Sequence, residues 1–517
     1  MSPEISATPD VPATGVQPGS WLDRVALLFL LLLSGAMLLT NLGNHYLWQD
    51  EAQTALLSRS IVETGIPHGT DGTNFFSQEL GVEYGEGYVW RWHTWLSFYA
   101  VAGSFILLDE SAFSARLPFS LAGIATVLLC YQTGLALWRD RRAAFAGAAM
   151  LALCVPFCIL SRQCRYYSLA ALLSLLALAA YARLGPRTRR PAWLLFAAAL
   201  LLFHTHYIYC ATLLASILLH ALLFERERLR TTLLVSAGVT ILSAPWIVWL
   251  SSVELGGDYL NRLVSPSHLA DTALQYAALT LQYFFFWGGF LLIPVFLMLE
   301  RRVRGRRSEG SPPAVTNAVW LLAIYCGVNL ILLTLLAPGV YVRYLAPLAA
   351  PLFLLIGLLV GQLMARSMLA AVAVVVLWLA SGSIGDFLYE LTHDYDGPIE
   401  GIVKHLQQHA RPGERVAIVY GDMPLKFYTD LRVIGGLTGE SLEDEHAAEW
   451  IVLRPHNVAS ISREVRRKIN SFVTPAHRCR KLPYPDIPFE NREDPRSHRF
   501  RTAEKARRVI VCGPGAR

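Results

Sequence analysis

Residues 25–65 read VALLFLLLLSGAMLLTNLGNHYLWQDEAQTALLSRSIVETG, an apolar run followed by an acidic pair and a periodic segment. The run 25–43 carries no charged residue and is long enough to cross most of a hydrocarbon layer about 30 Å thick. The segment that begins at Asp50-Glu51 has apolar residues at helical spacing and ends at Gly65 and Pro67, as helices do. The stretch predicts a membrane-spanning helix that leads into a short juxtamembrane helix with two acids at its start.

The rest of the chain has the same apolar character. Of its 517 residues, 54% are hydrophobic and 16% are charged, whereas soluble domains carry about 25% charged residues. This composition excludes an ordinary soluble enzyme and predicts an α-helical polytopic membrane protein with about eleven transmembrane helices. The predicted spans are 25–43, 116–137, 143–160, 166–184, 191–205, 207–224, 232–250, 276–299, 314–336, 345–365 and 367–387. Residues 1–20 are rich in Pro, Ser, Thr and Gly and are interpreted as a disordered cytoplasmic tail before an uncleaved first span.

The distribution of arginines predicts the orientation of the spans. Residues 92–108 could either cross a thin bilayer or lie in the interface as an amphipathic helix. If they do not cross, four basic clusters fall on one side, which the positive-inside rule identifies as the cytoplasm. The clusters are Arg139, Arg141 and Arg142; Arg183, Arg187, Arg189 and Arg190; Arg226, Arg228 and Arg230; and Arg301, Arg302, Arg304, Arg306 and Arg307. The prediction is an N-terminus inside, a long first extracytoplasmic loop at 44–115 and a C-terminus outside.

Polar residues at the ends of several spans then share the extracytoplasmic side. They are Asp50, Glu51, Arg91, His93, Arg165, Tyr166, Tyr167, His204, His206, Tyr207, Arg343 and Tyr344. Ionisable groups at membrane depth commonly line aqueous cavities, and a guanidinium beside a tyrosine suits a lipid phosphate and its hydrocarbon chain. Each residue alone also fits a snorkelling or interfacial role, with Asp50 as a helix N-cap and Glu51 as a first-turn acid. Two histidines flanking Thr205 do not by themselves establish a metal site.

The composition becomes that of a soluble domain in the C-terminal region. The segment 398–410 is an amphipathic helix candidate, RVAIVYG (415–421), EWIVLRP (449–455) and RRVIVCG (507–513) are strand candidates, and 462–472 is a second helix candidate. We expect residues 389–517 to form a small extracytoplasmic α/β domain. Cys479 and Cys512 lie in this region and would be able to form a disulfide if it is extracytoplasmic, whereas the other six cysteines lie in or beside apolar runs.

The order of these features resembles the GT-C membrane glycosyltransferases of the protein O-mannosyltransferase and lipid A aminoarabinose transferase type, with a glycosyltransferase family 39-like pattern. The segments that carry the resemblance are WQDEAQTALLSRSIVETG (48–65), HTWLSFYAVAGSF (93–105), SARLPFSLAGIATVLLCYQTGLALW (114–138), SRQCRYYSLAALL (161–173) and VRYLAPLAAPLFLL (342–355). The similarity covers about residues 22–390 and places the GT-C domain at 21–388. Relatives commonly have His-Pro-Pro-Leu or Lys-Pro-Pro-Leu where this chain has His93-Thr94-Trp95-Leu96, which leaves the donor sugar open.

The resemblance implies a transferase that moves a sugar from a polyprenyl-phosphate-linked donor to a lipid, glycan or protein acceptor on the extracytoplasmic face. Asp50 would be the essential loop acid, with Glu51 as a second catalytic candidate beside it. The residues that would bind the donor phosphate and lipid are Arg91, Arg165, Tyr166, Arg343 and Tyr344, and the candidates for binding the substrate are His93, Tyr167, His204, His206 and Tyr207. The partners expected are this donor, the acceptor and membrane lipids, with no nucleic acid, and the location is a bacterial inner membrane. No cofactor is required by the resemblance, although some GT-C branches use a divalent metal.

Two other functions fit the same sequence features. A flippase or transporter of lipid-linked saccharides would also need arginines near a lipid phosphate, and a polymerase or ligase would join lipid-linked glycans by similar chemistry. Transporters are commonly built from internal repeats with broken helices at mid-membrane. The sequence shows no such repeat, and its polar clusters lie at one face, which favours an enzyme.

Overall fold

The protein is described from a computed structural model. The residues that the structure describes are 20–185, 189–251, 266–284, 313–337, 339–436, 439–442, 448–454, 463–487 and 497–515, with the single residues 294 and 495. Several predicted features lie outside these residues: 1–19 of the N-terminal tail, Arg187, the cluster from Arg301 to Arg307, and 285–293 and 295–299 of the predicted span 276–299.

Helices dominate the described part of the chain up to residue 409. They are α1 (Trp21–Leu39), α2 (Gln49–Thr64), α3 (Leu96–Leu108), α4 (Ala112–Trp138), α5 (Arg141–Ala152), α6 (Val155–Ser161), α7 (Tyr167–Ala182), α8 (Arg189–Thr205), α9 (Tyr207–Leu223), α10 (Arg226–Ser251), α11 (Pro266–Tyr283), α12 (Pro313–Leu336), α13 (Ala349–Met364), α14 (Met368–Ser381), α15 (Ile384–Thr392) and α16 (Pro398–His409). A 3-10 helix at Val342–Leu348 precedes α13. Each predicted span overlaps at least one helix of the described residues, although α11 covers only the beginning of the span 276–299, and the chain is a multi-pass membrane protein.

Helix length and apolarity identify the membrane-spanning candidates. Among the described residues, five helices are long and apolar enough to cross a membrane, and up to seven spans result if each bent pair counts as one. The five are Trp21–Leu39, Ala112–Trp138, Arg226–Leu250, Ala314–Leu336 and Val342–Met364. Two predicted spans, 143–160 and 367–387, are not continuous, because α5 and α6 are bent by 61° and α14 and α15 are bent by 61°. The count of eleven spans stays a prediction.

The helix α3 is the segment on which the predicted orientation depends. Its 13 residues correspond to about 20 Å of helix, which is short of a hydrocarbon layer of about 30 Å. Its side chains Tyr99, Ile106 and Leu107 are exposed apolar groups. This geometry favours an interfacial position over a crossing one.

The N-terminal end of α1 is fixed by polar contacts. Ser20 caps the helix in a reciprocal capping box with Asp23. The Asp23 carboxylate is buried, accepts a hydrogen bond from the Tyr131 hydroxyl at 2.9 Å and pairs with the Arg141 guanidinium at 2.8 Å. These contacts attach α1 to α4 and α5.

Glycines allow α5 and α13 to approach closely. A Cβ atom at Gly147 would lie 2.5 Å from the Phe353 carbonyl oxygen, and one at Gly357 would lie 2.5 Å from the Ala143 carbonyl oxygen. No side chain fits at either position without moving backbone, so small residues bring these two helices together.

The C-terminal region forms a mixed sheet with helices, as expected from its sequence. The strands are β1 (Arg415–Ile418), β2 (Arg432–Gly435), β3 (Trp450–Leu453), β4 (His477–Asp486) and β5 (Arg507–Pro514), and two helices, α17 (Asp422–Tyr428) and α18 (Arg463–Ser471), lie between them. The sheet order is β2-β1-β3-β5-β4, with β1 parallel to β2 and β3, and β5 antiparallel to β3 and β4. Cys479 and Cys512 are paired across β4 and β5 and form a disulfide. The strands β1, β3 and β5 and the helices α16 and α18 were predicted, whereas β2 and β4 were not.

The C-terminal domain packs on the first loop and on α2. The Gln49 amide donates to the Asp422 carboxylate at 2.7 Å, and the Asn74 amide donates to the Leu431 carbonyl at 3.0 Å. The backbone N–H of Tyr46 donates to the Glu400 carboxylate at 2.8 Å. The C-terminal domain therefore helps to hold in place the segment that carries Asp50 and Glu51.

Candidate active site

Asp50 lies at the second position of α2, and its carboxylate is partly exposed. The helix begins at Gln49 with Trp48 as its N-cap, so the alternative interpretation of Asp50 as the N-cap is wrong. Its carboxylate oxygen Oδ2 lies 3.1 Å from Nη1 of Arg343, and the two side chains are 20% and 17% exposed. The Asp50 carboxylate is thus held by an ion pair and retains access to solvent.

Glu51 has a different environment from its neighbour. Its side chain is fully buried, and its two carboxylate oxygens accept from Nε and Nη2 of Arg116 at 2.8 and 2.6 Å. The same carboxylate accepts from the backbone N–H of Cys164 at 2.6 Å. Arg116 also donates to the backbone carbonyl of His45 at 2.7 Å. Glu51 therefore joins α2 to α4, the loop after α1 and the segment before α7.

Arg165 reaches α2 from the segment before α7. Its Nη1 atom donates to the backbone carbonyl of Asp50 at 3.3 Å and to the Thr54 hydroxyl at 3.0 Å. The side chain is 8% exposed, and its Nε atom has no hydrogen-bond partner among the described residues. The Asp50 carbonyl and the Thr54 hydroxyl are both neutral, so neither of them neutralises the positive charge of the Arg165 guanidinium.

Arg343 is positioned by the tyrosines around it. Its guanidinium lies 4.3 Å from the Tyr341 ring centre and 5.6 Å from that of Tyr344, within the range of cation–π contact. The Tyr209 hydroxyl donates to the Arg343 carbonyl at 3.4 Å. The 3-10 helix that carries Arg343 and Tyr344 is thereby packed against α9.

A group of rings surrounds the two arginines. His206 stacks on Tyr209 at 4.3 Å between ring centres and lies 4.7 Å from Tyr166, which is itself 5.9 Å from His93. Burial, with the positive charges of Arg165 and Arg343, lowers the pKa of His206 to about 3. Burial and Arg165 also hold the pKa of His93 well below its usual value. Both imidazoles are neutral at pH 7, so the arginines supply the positive charge of the site.

The other predicted site residues divide into two groups. Tyr167 is buried with its ring 4.9 Å from Tyr166, and Tyr207 stacks on His206 at 5.5 Å, so both adjoin the ring group. The Arg91 guanidinium donates to the Val82 carbonyl within the first loop at 3.4 Å. The ring of His204 lies 5.4 Å from that of its neighbour Phe203. These contacts do not bring Arg91 or His204 to Asp50.

Four residues of this arrangement were not singled out from the sequence. Thr54, Tyr209 and Tyr341 contact the arginines directly, and Arg116 binds Glu51. Thr54 lies four residues after Asp50, one helical turn away, which is a signal that the sequence does contain. The partner of Glu51 is 65 residues away and has no local signal.

The acidic pair does not form a common carboxylate site. Asp50 faces Arg343 and Glu51 faces Arg116, so each carboxylate has its own guanidinium partner. Consecutive helical residues point about 100° apart, which accounts for the separation. A divalent metal bound by both acids would require both ion pairs to break.

Comparison with known structures identifies the fold. The chain is similar to ArnT from Cupriavidus metallidurans bound to undecaprenyl phosphate, with a TM-score of 0.56 and 13% identity over 96% of this chain and 99% of that one. The apo state of the same ArnT matches with a TM-score of 0.56 and 13% identity, over 96% of this chain and 98% of that one.

A weaker match is the oligosaccharyltransferase AglB from Archaeoglobus fulgidus in complex with an inhibitory peptide and a dolichol-phosphate. Its TM-score is 0.46 at 12% identity, over 84% of this chain and 69% of that one. No protein-family profile matches the sequence, and no curated protein matches it. The likeness to ArnT confirms the predicted GT-C fold.

Proposed function

We propose that this protein is a membrane glycosyltransferase that moves a sugar from a polyprenyl-phosphate-linked donor to a lipid, glycan or protein acceptor, with inversion at the anomeric carbon. The observation that carries the proposal is the Asp50 carboxylate 3.1 Å from Arg343, with Arg165 bound to the backbone of the same residue at 3.3 Å. An acid and two arginines from three distant parts of the chain thus meet at one point. ArnT, whose fold the chain shares, was crystallised with undecaprenyl phosphate.

The charged side chains around Asp50 favour the binding of an anionic ligand. Arg165 and Arg343 carry two positive charges against the single carboxylate of Asp50, because Glu51 is compensated by Arg116. Guanidinium groups bind phosphate through paired hydrogen bonds, and Nε of Arg165 has none among the described residues. Tyr344, which is partly exposed beside Arg343, presents a ring on which an isoprenoid chain or a sugar can pack.

The reaction we propose is a single displacement. The acceptor hydroxyl or amine attacks the anomeric carbon as the bond from that carbon to the phosphate oxygen breaks, and its proton goes to the Asp50 carboxylate. The electron pair of the broken bond stays on the departing polyprenyl phosphate, where Arg165 and Arg343 stabilise the increased negative charge. Arrival of the donor phosphate at Arg343 would also loosen its ion pair with Asp50 and free the base.

Glu51 takes a positioning role in this proposal. The sequence suggested Glu51 as a second catalytic acid beside Asp50, but its buried pair with Arg116 occupies both carboxylate oxygens. Its contribution is to fix the start of α2, and therefore the direction of Asp50, relative to α4 and the segment before α7.

Two features support an extracytoplasmic position for the site. The described basic residues Arg139, Arg142, Arg183 and Arg226 lie at the opposite ends of the helices that lead to it, as the positive-inside rule requires of the cytoplasmic side. The Cys479–Cys512 disulfide belongs to the domain that packs against α2, and disulfides persist in oxidising compartments. We therefore propose a bacterial inner membrane location with this domain in the periplasm.

The test is a donor panel. Purified full-length protein is incubated with several polyprenyl-phosphate sugars and candidate acceptors, and the release of polyprenyl phosphate is followed by mass spectrometry. We expect release with one donor only when a matching acceptor is present. If no donor is turned over while one is moved across vesicle membranes, the protein is a flippase and the proposal is wrong. Transfer of a preassembled glycan instead of a single sugar would identify a polymerase or ligase.

Arg343→Gln tests the phosphate contact. We expect kcat/KM for the donor to fall about 10- to 100-fold, because a hydrogen bond to a charged group contributes about 1.5–3 kcal/mol. Inhibition by free polyprenyl phosphate should weaken in parallel. Arg142→Gln, at an exposed arginine of α5, is the matched control and should leave both values unchanged. Unaltered inhibition by polyprenyl phosphate in Arg343→Gln would exclude the contact.

A further inference from the structure

A buried cluster of His45, Glu390 and His498 lies apart from the acid and arginines described above. His45 lies in the loop after α1, Glu390 in α15, and His498 in the segment before β5. All three residues are buried, with 4%, 5% and 6% exposure. One imidazole or carboxylate atom of each lies within 4.8 Å of those of the other two. We propose that these three residues bind a Zn²⁺ ion that fastens the last membrane helix pair and the C-terminal domain to the loop preceding Asp50.

The donor set and its spacing fit zinc. Two imidazoles and one carboxylate form a common three-ligand zinc set, with the fourth position left to water. Ligand atoms of a tetrahedral zinc site with bonds of about 2.0–2.2 Å lie about 3.3 Å from one another. Here Nε2 of His498 lies 2.6 Å and Nε2 of His45 lies 3.8 Å from the Glu390 oxygens. These two distances lie on either side of the separation expected for zinc ligands.

His45 provides a second and independent indication of a ligand. Neither of its ring nitrogens has a hydrogen-bond partner among the described residues, although the side chain is buried. Its ring stacks on that of Tyr395 at 4.1 Å, which holds the imidazole plane in place. A neutral imidazole has one ring nitrogen with a lone pair that can bind a metal ion. A buried imidazole without a hydrogen bond is costly unless a ligand completes it.

The space beside the cluster suits a fourth ligand. A cavity of about 10 Å³, room for about one water molecule, is lined by the three residues together with Arg116 and Arg162. Both guanidiniums have other partners, because Arg116 pairs with Glu51 and Arg162 donates to the Thr40 carbonyl at 2.8 Å. Their charges lower the affinity for a dication, and the Glu390 carboxylate offsets that effect in part.

The position of the cluster gives the metal a structural consequence. Arg116 donates to the backbone carbonyl of His45 and to the carboxylate of Glu51. The loop that would hold zinc is therefore hydrogen-bonded directly to the Arg116 side chain that pairs with Glu51 and orients α2. A bound ion would therefore stabilise both the attachment of the C-terminal domain and the start of α2. This is a positioning role, because Arg116, which is not one of the three ligands, makes the contact with Glu51.

The experiment measures zinc on the full-length protein. Protein purified in detergent with its affinity tag removed is stripped with chelator, incubated with ZnCl₂, desalted and analysed for bound metal by mass spectrometry. We expect one zinc per wild-type chain and a zinc-dependent rise in melting temperature. His45→Asn, His498→Asn and Glu390→Gln should each lose the bound zinc and the rise. His409→Ala, at an exposed histidine of α16, is the matched control and should retain both.

Two further measurements keep the test decisive if a variant folds poorly. Each variant is first compared with wild type by size-exclusion chromatography to check that it is folded. Glu390→Gln keeps the shape of the side chain, so the conclusion is drawn first from this variant. Wild-type protein is also loaded with Co²⁺, whose intense visible bands report a tetrahedral site with imidazole ligands. Absence of zinc from the wild type, retention of zinc by the folded variants, or a weak octahedral cobalt spectrum would each overturn the proposal. These readouts do not depend on transferase activity.

Discussion

Asp50→Asn is expected to lower kcat of sugar transfer by about 10²–10⁴-fold, the usual contribution of a general base. The asparagine side chain keeps an oxygen that can accept the hydrogen bond from Arg343, which lies 3.1 Å from Asp50 Oδ2 in the wild type. The helix start and the arginine should therefore stay in place, while the group that takes the acceptor's proton is lost. Polyprenyl phosphate release under single-turnover conditions is the measurement.

The control for this variant is Glu63→Gln, which removes an exposed acid from the other end of α2. It should leave kcat within about twofold of wild type, because the side chain is solvated and distant in sequence from the pair. Affinity for free polyprenyl phosphate should be retained in Asp50→Asn, since the arginines are unaltered. Full turnover by correctly inserted Asp50→Asn would show that Asp50 is not the base. The proposal that Arg165 and Arg343 bind the phosphate would be unaffected by that result.

Arg116→Met is expected to destabilise the protein by about 3–5 kcal/mol, because it leaves a buried carboxylate without its partner. Glu51 and Arg116 are 0% and 2% exposed, and two hydrogen bonds join them. The variant should show a lower melting temperature and an increased rate of proteolysis in the first loop. Thermal unfolding in detergent, followed by tryptophan fluorescence, measures the effect.

The matched control breaks an exposed ion pair of the same length. Glu110 lies 2.6 Å from Arg59, with side chains that are 37% and 26% exposed. Glu110→Gln should cost less than about 1 kcal/mol, as exposed pairs do. The double variant Glu51→Gln/Arg116→Met should be less destabilised than Arg116→Met alone, because it leaves no unpaired buried charge. Equal melting temperatures for Arg116→Met and Glu110→Gln would contradict the positioning role of Glu51.

The acidic pair shows how far the sequence could be interpreted. Its place at the start of a helix that ends at Gly65 was predictable, and Gly65 has a left-handed φ of 86° at the C-cap. The sequence left open whether one acid or both face the reaction, although consecutive helical residues cannot point in the same direction. In the structure Asp50 pairs with Arg343 and Glu51 with Arg116, partners that lie 293 and 65 residues away.

The arginine and tyrosine positions were predicted from the resemblance. Most of the ring group around His206 was predicted from its shared side of the membrane, whereas Tyr209 was not predicted. Arg165, Tyr166, Arg343 and Tyr344 do lie around Asp50, but the contacts of Arg91 with Val82 and of His204 with Phe203 do not lead to it. All of these residues were predicted to lie on the same side of the membrane, so that prediction did not separate the residues near Asp50 from Arg91 and His204. Position along a span gives depth in the bilayer, whereas contact also depends on how each helix is rotated and packed.

The sequence by itself determined the membrane class, the position of most described helices, the juxtamembrane helix with its two acids and three of the five strands that the structure describes. These features are local, because the bilayer requires long apolar runs and secondary structure repeats every 2 or 3.6 residues. Only the tertiary structure decided the bends near residues 153 and 382, the separate partners of Asp50 and Glu51, and the meeting of His45, Glu390 and His498. Those depend on which distant segments pack together, and residue spacing along the chain does not specify that packing.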